Sequence, residues 1–394
     1  MRKTRSFVTV AVAHFLVDAY AAVFWPLAAL ASMSSERIGT YSLLLILSMS
    51  FSQLYFGYRA DRSSRKRYVV FGIVAATVCM SLVGRWVDQP SVLLAALILG
   101  GLGIASFHPG GVVLASESSP GPWAVPVFIF VGTLGFAAGP LIYVEFEDRW
   151  GLSATPWLMV PGLLIAGLAW ITIADPERAE TRSESSGSVL AGTRSFVSEH
   201  GTAILPLYVM AVVRTMVALA FQCFLPKLML DWGLSKYHAG LSFTVFAASG
   251  AVGNLVFGSL STRMNRRWLQ TVSVVVGVPF SVAFLFSNGL PASVSFTILG
   301  VASFFLNSTN ALHILMGQEL SGKHASTISS LMMGACWGTA SIAAPLVGWL
   351  AQSRPLSEAL LVVGVLPLLT LPLVVYLRPW SARKTDSPWK KSDL

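Results

Sequence analysis

The chain has 394 residues, 54% of them hydrophobic and only 11% charged, with a mean hydropathy of +0.68; an average soluble domain carries about 25% charged residues. A chain so poor in charge cannot cover itself with a polar surface, which excludes a soluble enzyme, a disordered scaffold and a secreted disulfide module and leaves an integral membrane protein. Its three cysteines, Cys79, Cys223 and Cys336, lie inside apolar runs and support neither a disulfide framework nor a zinc knuckle. The net charge of +9 would hint at nucleic acid in a soluble protein; here it becomes a question of where the cations sit.

Apolar stretches of membrane-spanning length occur twelve times, at about 6–32, 38–58, 68–87, 91–117, 123–146, 154–174, 203–228, 237–260, 268–288, 292–317, 325–350 and 357–377. The expected fold class is therefore an all-α polytopic membrane protein with both termini on one side. Grouping the N-terminus, the even-numbered connections and the tail collects 20 of the 27 Lys and Arg residues, Arg62, Arg65, Arg266 and Lys323 among them. The opposite face holds Arg37, Arg85, Arg149, Lys227, Lys236 and Arg354, and Arg214 remains inside. The positive-inside rule then places both termini in the cytoplasm, in the cell (inner) membrane. The first span is too long for a signal-peptide core and contains His14 and Asp18. The one long polar connection, 175–200, divides the chain into an N-terminal bundle (1–174) and a C-terminal bundle (201–378), followed by a tail at 379–394.

The halves repeat each other. Gly57-Tyr-Arg-Ala-Asp61-Arg62-Ser-Ser-Arg65-Lys-Arg, between spans 2 and 3, is echoed by Gly258-Ser-Leu-Ser-Thr262-Arg263-Met-Asn-Arg266-Arg267, between spans 8 and 9. His108 matches His313, Glu117 matches Glu319, and Gly139-Pro140 matches Ala344-Pro345 at similar offsets. The first loop resembles the signature loop of the major facilitator superfamily, with Ser64 where glycine is usual. The resemblance implies two pseudo-symmetric six-helix halves that rock about a central site. It also implies a cytoplasmic gate in which Gly57, Asp61, Arg62 and Arg65 act with Glu117, with Arg266 and Glu319 as a weaker second copy because Thr262 replaces the aspartate. Without such a role the loop is an ordinary positive-inside connection. Span 5 carries Gly132-Thr-Leu-Gly135-Phe-Ala-Ala-Gly139-Pro140, one flat glycine face ending in a proline. It resembles the antiporter motif of drug:proton exchangers in that superfamily.

Ionisable groups inside hydrocarbon are expensive and face a cavity or a partner. Away from helix ends there are five: His14, Asp18, His108, Arg214 and His313, on spans 1, 4, 7 and 10. Those spans line the central cavity in the superfamily that the loop resembles. Positions 14, 18 and 25 share one helical face, which directs His14, Asp18 and Trp25 together. At about 1.5 Å per residue Asp18 lies roughly 18 Å into its span and Arg214 roughly 16 Å into its own. Arg214 is expected either to form a structural ion pair with Asp18 across the halves or to bind an anionic substrate when Asp18 is protonated. His14 is placed to relay the proton, with His108 as a further coupling residue. Gln222, Asn307, Asn310 and His313 are the polar candidates around the substrate, or else hydrogen-bonding glue between helices. Pro109-Gly110-Gly111 is expected to break span 4 beside His108, and Gly135, Gly139 and Pro140 to serve as a hinge in span 5.

Three segments narrow the resemblance: Ala-His14-Phe-Leu-Val-Asp18 with Trp25-Pro26-Leu27, Gly101-Leu-Gly103-Ile-Ala-Ser-Phe107-His108-Pro109, and Val131-Gly-Thr-Leu-Gly-Phe-Ala-Ala-Gly-Pro-Leu. Together they look like the fosmidomycin-resistance branch of the superfamily. That resemblance implies an exporter of small toxic compounds driven by proton antiport; with Arg214 as a candidate anion site, the expected substrates are small toxic compounds or metabolites, anionic ones among them, and no cofactor or metal is expected. The expected partners are a small-molecule substrate and the bilayer, without nucleic acid, and the protein is expected to act as a monomer. The acid that follows His-Pro in that branch is Gly110 here, so either Asp18 carries the proton alone or the coupling differs. A proton-coupled importer or uniporter of an organic anion or nutrient would share these features, as would a solute sensor that kept the fold. An intramembrane enzyme is not expected: Ala247-Ala248-Ser249-Gly250 is a poor nucleophile setting, and His-Glu-x-x-His is absent.

Overall fold

The computed structural model describes residues 2–118, 123–173, 189–320 and 331–376. The described residues are almost wholly helical and contain no strand. Eleven helices are long and apolar enough to cross a membrane: Thr4–Leu30, Ser35–Ala60, Arg65–Trp86, Pro90–Ser118, Ala124–Trp150, Leu152–Thr172, Ile204–Asp231, Lys236–Leu260, Arg266–Leu285, Ala292–Gly317 and Leu356–Tyr376. A shorter apolar helix, Cys336–Leu350, lies between the last two. In chain order these are spans 1 to 12, arranged as two six-helix halves. The first half of the expected 175–200 connection, to residue 188, lies outside the described residues, as do 321–330 and the tail from 377. The helix of span 7 begins at Val189, inside the segment expected to be a connection.

The two basic loops start the next helices in the same way. Ser64 caps span 3 by accepting from the Arg67 amide, and Asn265 caps span 9 by accepting from the Arg267 amide. Ser64, the residue that departs from the signature, is thus a helix cap. It puts Arg65, like Arg266, at the first helical position. A cation there opposes the helix dipole, so its place reflects a partner rather than helix propensity.

Lipid tails are as apolar as leucine, so membrane helices are held by close packing and polar contacts rather than by the hydrophobic effect. Glycines set the approach. A Cβ on Gly135 would lie 2.0 Å from the Phe15 carbonyl oxygen, and one on Gly139 2.4 Å from that of Ala19, so the glycine face of span 5 is filled by span 1. Spans 3 and 4 interlock through Gly72 and Gly103. Gly135→Ala is expected to lower stability by about 1–3 kcal/mol through overpacking. The check is a lower melting temperature of the detergent-solubilised protein.

The predicted break in span 4 is absent. Pro90–Ser118 is one helix with Pro109 inside it, and Gly110 and Gly111 are buried against Val69 on one side and Phe107 and Phe128 on the other. Packing on both sides leaves the glycines no freedom to unwind. The break falls instead in span 10, the counterpart of span 4, which divides into Ala292–Asn307 and Asn310–Leu320. Polar groups from the neighbours hold this break open: Asn254 of span 8 accepts the Ala311 amide at 2.8 Å, and Ser273 of span 9 donates to the Phe305 carbonyl at 2.8 Å. Span 1 also bends, at Ala22–Val23, span 2 at Phe51, and span 11 at Ser341–Ile342.

Candidate functional site

In the N-terminal half, spans 1 and 4 bring His14, Asp18 and His108 into one cluster. His14 Nε2 lies 3.2 Å from Asp18 Oδ2, and His108 Nε2 lies 3.0 Å from Asp18 Oδ1. The other nitrogen of each ring is also engaged: His14 Nδ1 donates to the Phe128 carbonyl at 2.8 Å, and His108 Nδ1 to the Ile104 carbonyl at 2.8 Å. Gly132 makes the first of these possible. A Cβ at that position would lie 2.3 Å from the His14 ring, so the glycine clears the space in which the imidazole stacks on Phe128, with ring centroids 4.0 Å apart. His14 is buried, while the Asp18 and His108 side chains keep 16% and 25% of their surface. Gly110 faces span 3 rather than this cluster, since its Cβ would meet Val69 at 2.9 Å. The cluster is therefore built without a residue at that position.

The hydrogen count of the cluster is informative. A carbonyl oxygen only accepts, so both Nδ1 atoms carry hydrogen. In neutral rings the two Nε2 atoms are then lone pairs facing carboxylate oxygens, acceptor against acceptor. Both contacts become hydrogen bonds only when two further protons are added.

In the C-terminal half, the break in span 10 presents Asn307 and Asn310 to Arg214 of span 7. Arg214 Nη2 donates to Asn310 Oδ1 at 2.9 Å and to Thr215 Oγ1 at 2.8 Å, and Nη1 to Asn307 Oδ1 at 3.4 Å. Among the described residues Arg214 Nε is buried with no hydrogen-bond partner, and no carboxylate lies within ion-pair distance of the guanidinium. The ion pair between Asp18 and Arg214 that the sequence suggested is not formed: the two histidines hold the carboxylate, and neutral amides hold the guanidinium. His313, one turn beyond Asn310 in span 10, is buried and pairs through Nε2 with Gln270 Oε1 of span 9 at 2.9 Å. Gln222 is buried, and its Oε1 has no partner among the described residues.

Trp25 does not join Asp18. The bend at Ala22–Val23 ends the helical repeat that was to align them. Trp25 is 1% exposed, donates to Ser42 Oγ at 3.0 Å and stacks on Phe243 of span 8 at 5.5 Å. It belongs to an aromatic layer, with Phe136 beside Phe243 at 5.3 Å, that joins the two halves.

At the basic loops Arg65 Nη1 donates to Glu117 Oε1 at 2.5 Å, and Arg266 forks over both carboxylate oxygens of Glu319. Each pair joins neighbouring spans of one half. The second pair, expected to be the weaker, has the two-pronged geometry of a strong guanidinium–carboxylate contact. A Cβ on Gly57 would lie 3.5 Å from Pro109, and one on Gly258 3.8 Å from Ala311. The Asp61 and Arg62 side chains lie outside the described residues.

The halves meet at the face opposite these loops. A Cβ on Gly39 would lie 2.5 Å from the Ala344 carbonyl oxygen and one on Gly348 2.5 Å from that of Ser35, joining spans 2 and 11. Thr244 of span 8 donates to the Ala137 carbonyl of span 5 at 2.7 Å. Lys236 Nζ bridges to Glu147 at 3.0 and 3.2 Å and to Asp148 at 3.8 Å. Glu147→Gln is expected to raise the open population at this face about threefold to fivefold. Longer distances between spin labels at Arg149 and Tyr237 would report it, and an unchanged distribution would remove the pair as a lock.

Sequence reasoning missed this pair, because Glu147 and Lys236 sit at span ends where charges are ordinary. It also missed Thr215, Gln270 and Asn254, single polar residues within apolar runs.

Twelve helices in two repeated halves, with ionisable groups held on spans 1, 4, 7 and 10, define the class of polytopic secondary transporters. A model of the Major Facilitator Superfamily matches residues 7–345, and the chain belongs to that family. It is 23% identical over 395 residues to an uncharacterised MFS-type transporter of Bacillus subtilis, covering 95% of this chain and 94% of that one. It is also 23% identical over 353 residues to the fosmidomycin resistance protein of Escherichia coli, covering 88% and 85%. Among solved structures, the nucleoside transporter NupG superposes with a TM-score of 0.76 at 12% identity, over 96% of this chain and 100% of that chain.

Proposed function

We propose that this membrane transporter is a proton-coupled exporter of small organic anions, with both termini and the basic loops in the cytoplasm. The observation that carries this reading is the separation of two unlike sites: a protonatable cluster in one half and an uncompensated guanidinium in the other. A half-buried cation inside the membrane without a carboxylate is costly, and an anionic ligand offsets that cost. The planar fork of Arg214, steadied by Asn307 and Asn310, matches a carboxylate or phosphonate in two-pronged contact. With no proton in its two Nε2–carboxylate contacts the cluster of His14, Asp18 and His108 carries −1, and with one proton in each it carries +1. Protonation draws the cluster into a closed hydrogen-bonded unit that ties span 1 to spans 4 and 5. Because span 1 also carries the aromatic layer against span 8, a change in that tie alters how the halves meet.

The likeness to a fosmidomycin resistance protein supports export. The joined face opposite the basic loops supports a state that admits substrate from the cytoplasmic side. The test is flux in proteoliposomes with an imposed pH gradient and a panel of carboxylates, phosphonates, sugars and cationic drugs. Anion movement against the proton gradient is expected. Equal flux with and without the gradient would overturn the coupling, and a preference for cations or sugars would overturn the anion assignment. Gly132→Ala, which pushes the His14 ring off Phe128, is expected to reduce the gradient-driven component more than it reduces ligand binding. Equal losses in both would instead point to a general packing defect.

A further inference from the structure

The geometry points to a second ligand for the cluster on spans 1 and 4: we propose that His14, Asp18 and His108 form a binding site for a divalent transition-metal ion such as Zn2+ or Co2+. Two imidazole nitrogens and a carboxylate are the donor set of many such sites. Sequence spacing alone gave no metal motif, because the third donor comes from a different span. In the structure the three donor groups place ligand atoms within 4.8 Å of one another. The Nε2 atoms stand 3.2 Å from Asp18 Oδ2 and 3.0 Å from Asp18 Oδ1, within the roughly 3.0–3.4 Å between neighbouring donors that metal–ligand bonds of about 2.1 Å produce.

Two further observations favour a metal over mere proximity. First, both rings turn Nε2 inward while Nδ1 donates to a backbone carbonyl, Phe128 for one and Ile104 for the other. Ligating histidines are oriented by this outer contact, which fixes the tautomer whose inner nitrogen carries the lone pair. Second, that tautomer leaves acceptors facing acceptors, an arrangement that a dication satisfies as well as two protons do. Asp18 and His108 keep part of their surface, so the remaining coordination positions open toward solvent or a ligand. His14 and Asp18 stand four residues apart on one helix face, and His108 reaches the same carboxylate from span 4. The ion displaces the transferable protons from Nε2 and holds spans 1 and 4 together.

The test uses the full-length, tag-free protein in detergent, titrated with Co2+. Stoichiometric appearance of visible d–d absorption, abolished by Zn2+ competition, is expected. His108→Gln should weaken Co2+ binding at least tenfold, and so should His14→Gln, whereas His238→Gln, on the far-face end of span 8, should leave it unchanged. Circular dichroism and melting curves show that each variant is folded. Should the single variants prove unstable, Zn2+ inhibition of anion flux in wild-type proteoliposomes, reversed by chelator, provides an independent readout. Co2+ binding that persists undiminished in both histidine variants overturns the site. Absence of binding in a protein that still shows pH-driven flux also overturns it, while leaving the proton-coupling reading intact.

Discussion

Asp18→Asn is expected to abolish pH-gradient-driven transport in proteoliposomes, with flux at least about tenfold below that of the parent protein, the equivalent of roughly 1.4 kcal/mol. The argument rests on hydrogen bonds rather than on charge alone. Asp18 is the one group touched by both inward-facing ring nitrogens, so every proton held between the rings is shared with it. An amide of the same shape keeps the contacts but cannot take up and release a proton. Folding should survive, since span 1 is held by the glycine face of span 5. The diagnostic result is retained ligand binding, measured by thermal shift, beside lost dependence on the gradient. Undiminished gradient-driven flux in this variant would show that the protons pass elsewhere.

Arg214→Lys should weaken binding of an anionic substrate about tenfold to a hundredfold, because a point ammonium cannot reproduce a two-pronged contact worth about 1.5–3 kcal/mol per charged hydrogen bond. Arg214→Gln should abolish binding altogether. Both effects are to be read by ligand-induced stabilisation of the purified protein, since a ligand stabilises the state it binds. Proton uptake by the cluster on spans 1 and 4 should persist in both variants, as that cluster belongs to the other half. If affinity stayed at the parent level in Arg214→Lys, the guanidinium would be a structural element that braces the break in span 10.

What the sequence made legible was whatever depends on the bilayer. Hydrocarbon admits few charges, so the twelve spans and the five inner ionisable groups stood out directly from residue type. The repeat of Gly57 to Arg67 in Gly258 to Arg267 likewise marks the two halves. Pairing was less legible, because it depends on where helices bend. The alignment of Trp25 with Asp18 assumed a straight helix through Ala22 and Val23. The ion pair between Asp18 and Arg214 assumed that the nearest opposite charge wins, whereas His108 and Asn310 are closer. Pro109 and its glycines read as a break because local propensity favours one, yet packing against Val69 and Phe128 keeps span 4 continuous. Span 10 has no proline or glycine at Ser308–Thr309, and its break depends on Asn254 and Ser273, residues of other helices that no local pattern ties to it.

The glycine seams described above have a mechanical consequence. At Gly135, Gly139, Gly39 and Gly348 the surfaces that meet are backbone against backbone, with carbonyl oxygens resting on bare Cα positions. Such weak C–H···O contacts recur at regular intervals along a helix, and sliding one helix past another exchanges one carbonyl for the next. No rotamer has to flip and no knob has to leave its hole. A bearing surface of this kind offers little friction, so sliding along the seam of Gly39 and Gly348, the one between the halves, would be resisted chiefly by polar ties at its rim, of which Lys236 with Glu147 is the clearest.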